Sequence, residues 1–181
     1  MDTSAVKNYL VISVLGEDRP GLISELARVI LDCNCNIVDG RMTELGGECS
    51  AIFLVYGNWN TLAKLEVQLE RLKSSLGVEI AVKRTTGGQR RDDVLPYAIE
   101  VIAHDQPGIV HRLANFFAGR SINIEELVTR SYSAPHTGAP MFSVNMVIGV
   151  PGKIHIAMLR DEFMDFCDEF NWDAVMEPVK G

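Results

Sequence analysis

The segment Leu10–Ile37 lies over the segment Tyr97–Ile124 without a gap, and nine of the 28 aligned positions are identical. The matches fall throughout the stretch: Ile12 with Ile99, Val14 with Val101, Asp18 with Asp105, Pro20 with Pro107, Gly21 with Gly108, Leu26 with Leu113, Ala27 with Ala114, Asn36 with Asn123 and Ile37 with Ile124. A strand, its turn and the following helix have been copied together. Two copies are too few for a solenoid, so each must close a core of its own. A length of 181 residues allows this, since domains of about 90 residues sit near the lower limit of self-sufficiency. The expected boundaries are 8–84 for the first domain and 96–180 for the second. Between them, 85–95 is polar, holds a Gly-Gly pair and reads as an exposed linker.

Leu10–Leu15 is too short for a helix and too continuously apolar for a solvated strand, which predicts a central strand covered on both faces. After a turn at Gly16–Pro20, Leu22, Leu26, Val29, Ile30 and Cys33 recur at helical spacing, with Pro20 expected in the first turn of the helix. Ile37–Glu44 and Cys49–Tyr56 flank Gly46-Gly47, a pair suited to a positive-φ hairpin turn. Leu62, Leu65, Leu69, Leu72 and Leu76 predict an amphipathic helix capped near Asn60 or Thr61 and stopped by Gly77. Val78, Ile80 and Val82 alternate with polar or small residues in a half-exposed last strand. The second repeat follows the same order, with a helix over Ile154–Phe170 and a strand over Ala174–Val179. Its hairpin tip, Ser133–Pro140, is longer and carries two prolines and His136. Each repeat reads βαββαβ: an α+β chain of two ferredoxin-like units, each a four-stranded antiparallel sheet with two helices on one face.

Several functions built on that topology conflict with the residues. An acylphosphatase-like enzyme needs a glycine-rich anion cradle and an arginine after strand one, whereas the loops read GEDRPG and AHDQPG. An RNA-binding sheet needs exposed aromatics and basic flanks, yet the chain has a net charge of −7 and aliphatic central strands. That charge also argues against direct contact with nucleic acid or anionic lipid. A heavy-metal carrier needs a Cys-x-x-Cys loop, which Cys33, Cys35, Cys49 and Cys167 do not form. Cys33 and Cys35 are either a metal or redox pair or small thiols buried at a helix end, and the second is expected. No secretory leader or apolar run of about 20 residues is readable, so a cytoplasmic location is expected. His104, His111, His136 and His155 lack metal-ligand spacing, and no nucleophile elbow frames Ser24, Ser131 or Ser133. Neither catalysis nor a cofactor or metal is expected. The acidic run Asp161, Glu162, Asp165, Asp168 and Glu169 reads as a solvated helix face or as a dock for a basic partner.

Asp18-Arg19-Pro20-Gly21-Leu22 and Asp105-Gln106-Pro107-Gly108-Ile109 each follow an apolar strand and open an apolar helix. Each leads to Asn36-Ile37 or Asn123-Ile124 about fifteen residues on. This pattern resembles the ACT-domain signature, and it occurs twice. A free-standing tandem ACT chain of this length is similar to a family of repressors of the glycine cleavage system. The resemblance implies a protein without a DNA-binding domain that responds to glycine or another small amino acid and acts through a separate transcriptional activator protein. An alternative from another class is a regulatory ACT partner of an amino-acid or one-carbon enzyme such as formyltetrahydrofolate deformylase. A third is a protein-binding scaffold.

The chemistry of the motif suits an amino-acid ligand. Gly21 and Gly108 leave room for close approach to free helix N–H groups, where the dipole favours a carboxylate. Asp18 and Asp105 could take the ligand's ammonium, or cap their own helices by accepting from the N–H of Gly21 and Gly108. Asn36 and Asn123 read as turn residues; the resemblance implies that they lie near the loop and are further candidates for ligand contact. The two sites are expected to be unequal, since Arg19 is a cation and Gln106 is not. Finally, Ala51–Tyr56 is apolar on both faces, while its counterpart carries Ser143 and Asn145 on one. Two helices cover one face only, so repeat one is expected to pair with another copy or a partner protein, making at least a homodimer.

Overall fold

Gly46 and Gly47 take φ of 65° and 87°, the two positive values of a tight hairpin turn, in a computed structural model that describes residues 8–87 and 93–179. They join β2 (Asn36–Leu45) to β3 (Glu48–Gly57), with Leu45 opposite Glu48 as the sequence predicts. Before them come β1 (Asn8–Glu17) and α1 (Leu22–Asp32); after them come α2 (Trp59–Leu76) and β4 (Glu79–Thr85). The second repeat repeats the order as β5 (Val94–His104), α3 (Ile109–Ala118), β6 (Asn123–Ser133), β7 (Pro140–Pro151), α4 (Ile156–Glu169) and β8 (Asp173–Pro178). The chain divides into two compact units, Met1–Arg90 and Arg91–Gly181. Of the connector expected at 85–95, Thr85 closes β4, Val94 opens β5, and residues 88–92 lie outside the described residues.

The sheets have strand orders β2-β3-β1-β4 and β6-β7-β5-β8, antiparallel throughout. Alternation along β1 sends Leu10, Ile12 and Val14 to one face, where they pack with Leu22, Leu26 and Ile30 of α1 and Leu62, Leu65 and Leu69 of α2. In the second unit Ile99, Val101 and Ala103 meet Leu113, Phe116, Phe117 and Phe163 in the same way. Two of the phenylalanine pairs, Phe116–Phe117 and Phe117–Phe163, have centroids 5.2 and 5.3 Å apart. β1 is central, but it is not covered on both faces: Ser13 and Leu15 point away from the helices, and Leu15 is 50% exposed. A strand between two neighbours is paired at its edges, and only layers above and below can cover its faces.

The second helix of each unit departs from the expected start. α2 begins at Trp59, and its cap is Asn58, whose side-chain oxygen accepts from the Thr61 N–H at 2.9 Å. Periodicity missed this turn because its apolar member, Trp59, faces outward beneath the Arg84 guanidinium, 5.2 Å from the ring centroid. α4 begins at Ile156, because Ile154 is held in a turn by donating its N–H to the Pro151 carbonyl at 2.9 Å. Gly77 closes α2 at φ 68°, as expected. Asn58→Ala removes the cap and is expected to cost about 1 kcal/mol, with a fall in Tm of roughly 4–8 °C in thermal unfolding. An unchanged Tm would show that the cap contributes nothing.

Candidate functional site

Both first loops end in a glycine that starts its helix from a left-handed conformation. Gly21 has φ 94° and ψ −15°, and Gly108 has φ 95° and ψ −1°. Each accepts the first intrahelical bond, from the Glu25 N–H at 2.9 Å and the Arg112 N–H at 3.0 Å. An L residue there costs roughly 1–2 kcal/mol, which accounts for glycine at both places. Their Cβ positions are otherwise open: at Gly21 the nearest atom would be Glu25 Oε1 at 3.8 Å, and at Gly108 nothing lies within 4 Å. Glycine is required at both places by conformation, not by a close neighbour that a Cβ would strike.

The aspartate caps expected from the sequence do not form. Among the described residues neither helix has a side-chain cap, and Asp18 and Asp105 are exposed. Side-chain capping uses an extended residue at the cap position. Here a left-handed glycine holds that position and the aspartate lies three residues upstream. Pro20 likewise precedes the cap instead of standing in the first helical turn. The aspartates anchor their loops through the backbone: the Asp18 N–H donates to Gly47 O and the Asp105 N–H to Pro140 O, each at 3.0 Å. Each loop is thereby moored to the tip of the neighbouring hairpin. Among the described residues, no acceptor meets the N–H groups of Ile23 and Ser24 in α1 or of Val110 and His111 in α3. Leu22 and Ile109 are buried in their cores.

The two helix starts differ in charge. Arg19 is committed to Glu25 at 3.0 Å, so the cation of the first loop is answered by an acid in the first turn of α1. The residue aligned with Glu25 is Arg112, whose guanidinium lies 4.6 Å from the Phe170 ring centroid, and the first turn of α3 has no acid. The two helix starts thus differ in charge, and the second offers the less opposed dipole to a carboxylate.

Strand register separates the remaining candidates from the loops. Glu17 pairs with Glu48 and Asn36 with Tyr56, so Asn36 stands eight residues along β3 from the loop end. At about 3.3 Å per residue that is roughly 26 Å. His104 pairs with Met141 and Asn123 with Gly149, which gives the same separation in the second unit. Asn36 and Asn123 are therefore not near the loops, because a strand returning after a helix starts at the far end of the sheet. Ile37 is brought together instead with Ile23, Gly40, Met42 and Phe53 around a groove of about 420 Å³ between α1 and β2. The sequence signal for it was a lone glycine inside a strand: a Cβ on Gly40 would lie 2.6 Å from Phe53 Cδ1. Ile124 packs against the second core.

Among the described residues no group of His, Cys, Asp and Glu could hold a metal ion, and no helix is long and apolar enough to cross a membrane. Cys33 and Cys35 are buried free thiols at the end of α1. Burial pushes the thiols of Cys33 and Cys49 up, and burial with the neighbouring Asp168 takes Cys167 to about 12, so the reactive thiolate is disfavoured.

The ACT-domain sequence profile matches residues 8–83. The chain is 32% identical over 169 residues to the glycine cleavage system transcriptional repressor of Escherichia coli (strain K12), covering 93% of this chain and 89% of that one. A crystal structure assigned provisionally to the same repressor superposes with a TM-score of 0.74 at 24% identity, covering 98% of this chain and 100% of that one. The crystal structure of an unknown protein from Galdieria sulphuraria superposes with a TM-score of 0.79 at 25% identity, covering 96% of this chain and 99% of that one. A duplicated βαββαβ chain, with a glycine-started helix after each first strand, is thus matched along nearly its whole length. The chain is a tandem ACT-domain protein and belongs to the family of the glycine cleavage system transcriptional repressor.

Proposed function

We propose that this chain is a non-catalytic, cytoplasmic amino-acid sensor that binds glycine at its first loops and thereby changes its contact with a transcriptional activator of the glycine cleavage system. The observation that carries this reading is the paired helix start. At Gly21 and at Gly108 a left-handed glycine leaves open space before free backbone N–H groups. Such a start accepts a small carboxylate, and an exposed aspartate three residues upstream can take the ammonium. Arg19, Pro20, Leu22, Gln106, Pro107 and Ile109 shape the two loops around that contact. Asn36 and Asn123 lie too far away within a unit, and serve the same ligand only where a second copy of the chain brings them to a loop, whereas Ile37 shares a groove with Ile23 of the first turn of α1 and Ile124 packs against the second core. With net charge −7, recognition of DNA is left to the activator.

A thermal-shift screen of the full chain against the amino acids tests the reading. Glycine at 100 times its Kd is expected to add about 2.7 kcal/mol, a rise in Tm on the order of 10 °C. A flat response to every amino acid would remove the sensing role and leave the chain as a protein-binding scaffold.

A further inference from the structure

The second unit carries a groove of about 560 Å³ that the ligand loops do not use. It is lined by Arg160 and Met164 of α4 and by six consecutive residues, Ala174–Val179, of β8 and its end. Successive strand side chains point to opposite faces, so a cavity that touches six in a row must run along the edge of the strand. Among the described residues β8 is an edge strand, paired only with β5. Arg160 lines this groove, and its Nε is buried and, among the described residues, has no hydrogen-bond partner. A buried, unsatisfied guanidinium N–H is costly and calls for a partner.

The first unit shows how such a place is closed. Arg84 pairs with Leu10 in register, and Pro178 pairs with Tyr97, the residue aligned with Leu10, so Pro178 stands where Arg84 does. Arg84 bridges β4 to α2 through two bonds to Glu66, each 2.9 Å. Pro178 can make no such bridge. The cation of the second unit comes instead from the helix, as Arg160, whose Nε makes no hydrogen bond among the described residues although Glu177 lines the same groove.

We propose that the groove between α4 and β8 docks an extended acidic segment of a partner protein, which adds as a strand to β8 and sets a carboxylate on Arg160. Backbone pairing along the free edge would supply affinity, and the charge would supply selectivity. Met164 and the half-exposed Val175 and Val179 offer apolar contact to residues flanking the carboxylate. The proposal does not depend on amino-acid sensing.

The probes are the capped peptide Ser-Val-Glu-Val-Thr and its Ser-Val-Gln-Val-Thr counterpart, titrated into the 15N-labelled full chain. The glutamate peptide is expected to shift the amide signals of Asp173–Val179 and the Arg160 Nε–H signal, and to bind about tenfold more tightly than the glutamine peptide. Arg160→Gln should erase that difference. Should that variant fail to fold, the wild-type Arg160 Nε–H signal decides, since it should respond to the glutamate peptide alone. Shifts elsewhere, no shifts at millimolar peptide, or equal binding of both peptides to the wild-type chain would overturn the proposal.

Discussion

Substituting Gly21→Asn and Gly108→Asn together is expected to reduce the glycine-induced rise in Tm from the order of 10 °C to less than about 2 °C, with far-ultraviolet circular dichroism unchanged. Asparagine enters the left-handed region more readily than other non-glycine residues, so the φ of 94° and 95° can persist. The new side chain meets no close neighbour: ordinary contact distances at Gly21 and open space at Gly108. It therefore occupies the volume through which a carboxylate would reach the helix N–H groups. Valine, branched at Cβ, would add strain at a positive φ and confound ligand loss with destabilisation. Of the single variants, Gly108→Asn should cost more of the shift, since α3 has no first-turn acid while Glu25 lies beside Gly21. A double variant that keeps the full shift would move the site away from both loops.

The element order was legible because each unit buries one face by simple periodicity, and the duplication allowed one repeat to check the other. The hairpin at Gly46-Gly47 and the stop at Gly77 were legible because positive φ selects glycine in any context. What escaped depended on geometry that composition does not carry. Asp18 and Asp105 have the right chemistry for caps, yet the glycines take the cap position. Asn36 is close to Asp18 in sequence and carries the same motif, yet the 11-residue helix between them carries the chain to the opposite end of the sheet. The cation of Arg19 was visible, but its commitment to Glu25 was not, since a pairing six residues apart around a loop follows no helical spacing rule. The groove beside Arg160 had no sequence signal, because it depends on how α4 side chains meet those of β8, which neither periodicity nor composition carries.

The second large effect expected is in mass. Light scattering at micromolar concentration should give at least twice the 20.0 kDa of one chain, and Ile52→Lys should return it to 20.0 kDa. On the face of the first sheet away from its helices, Tyr9 pairs with Tyr56, Val11 with Leu54 and Ser13 with Ile52, with Leu15 continuing the row. The Tyr9 and Tyr56 rings are 5.5 Å apart, while Leu15, Ile52 and Tyr56 are 50%, 48% and 45% exposed. Such a contiguous apolar surface belongs to interfaces more than to solvated monomers. In the second unit the corresponding positions hold Glu100 opposite Asn145 and Ile102 opposite Ser143. Polar groups there would lose water without gaining partners against an aliphatic face, so matching chemistry is offered by another copy of the first sheet. Two such sheets can stack about 10 Å apart with strands crossing near −30°, which interleaves Ile52 and Leu54 with their counterparts. A lysine at position 52 would bury an unpaired ammonium in that layer, and the loss should split the dimer while leaving the helix-side core intact. A 20.0 kDa wild-type chain, unchanged by amino acids, would leave a partner protein as the cover for this face.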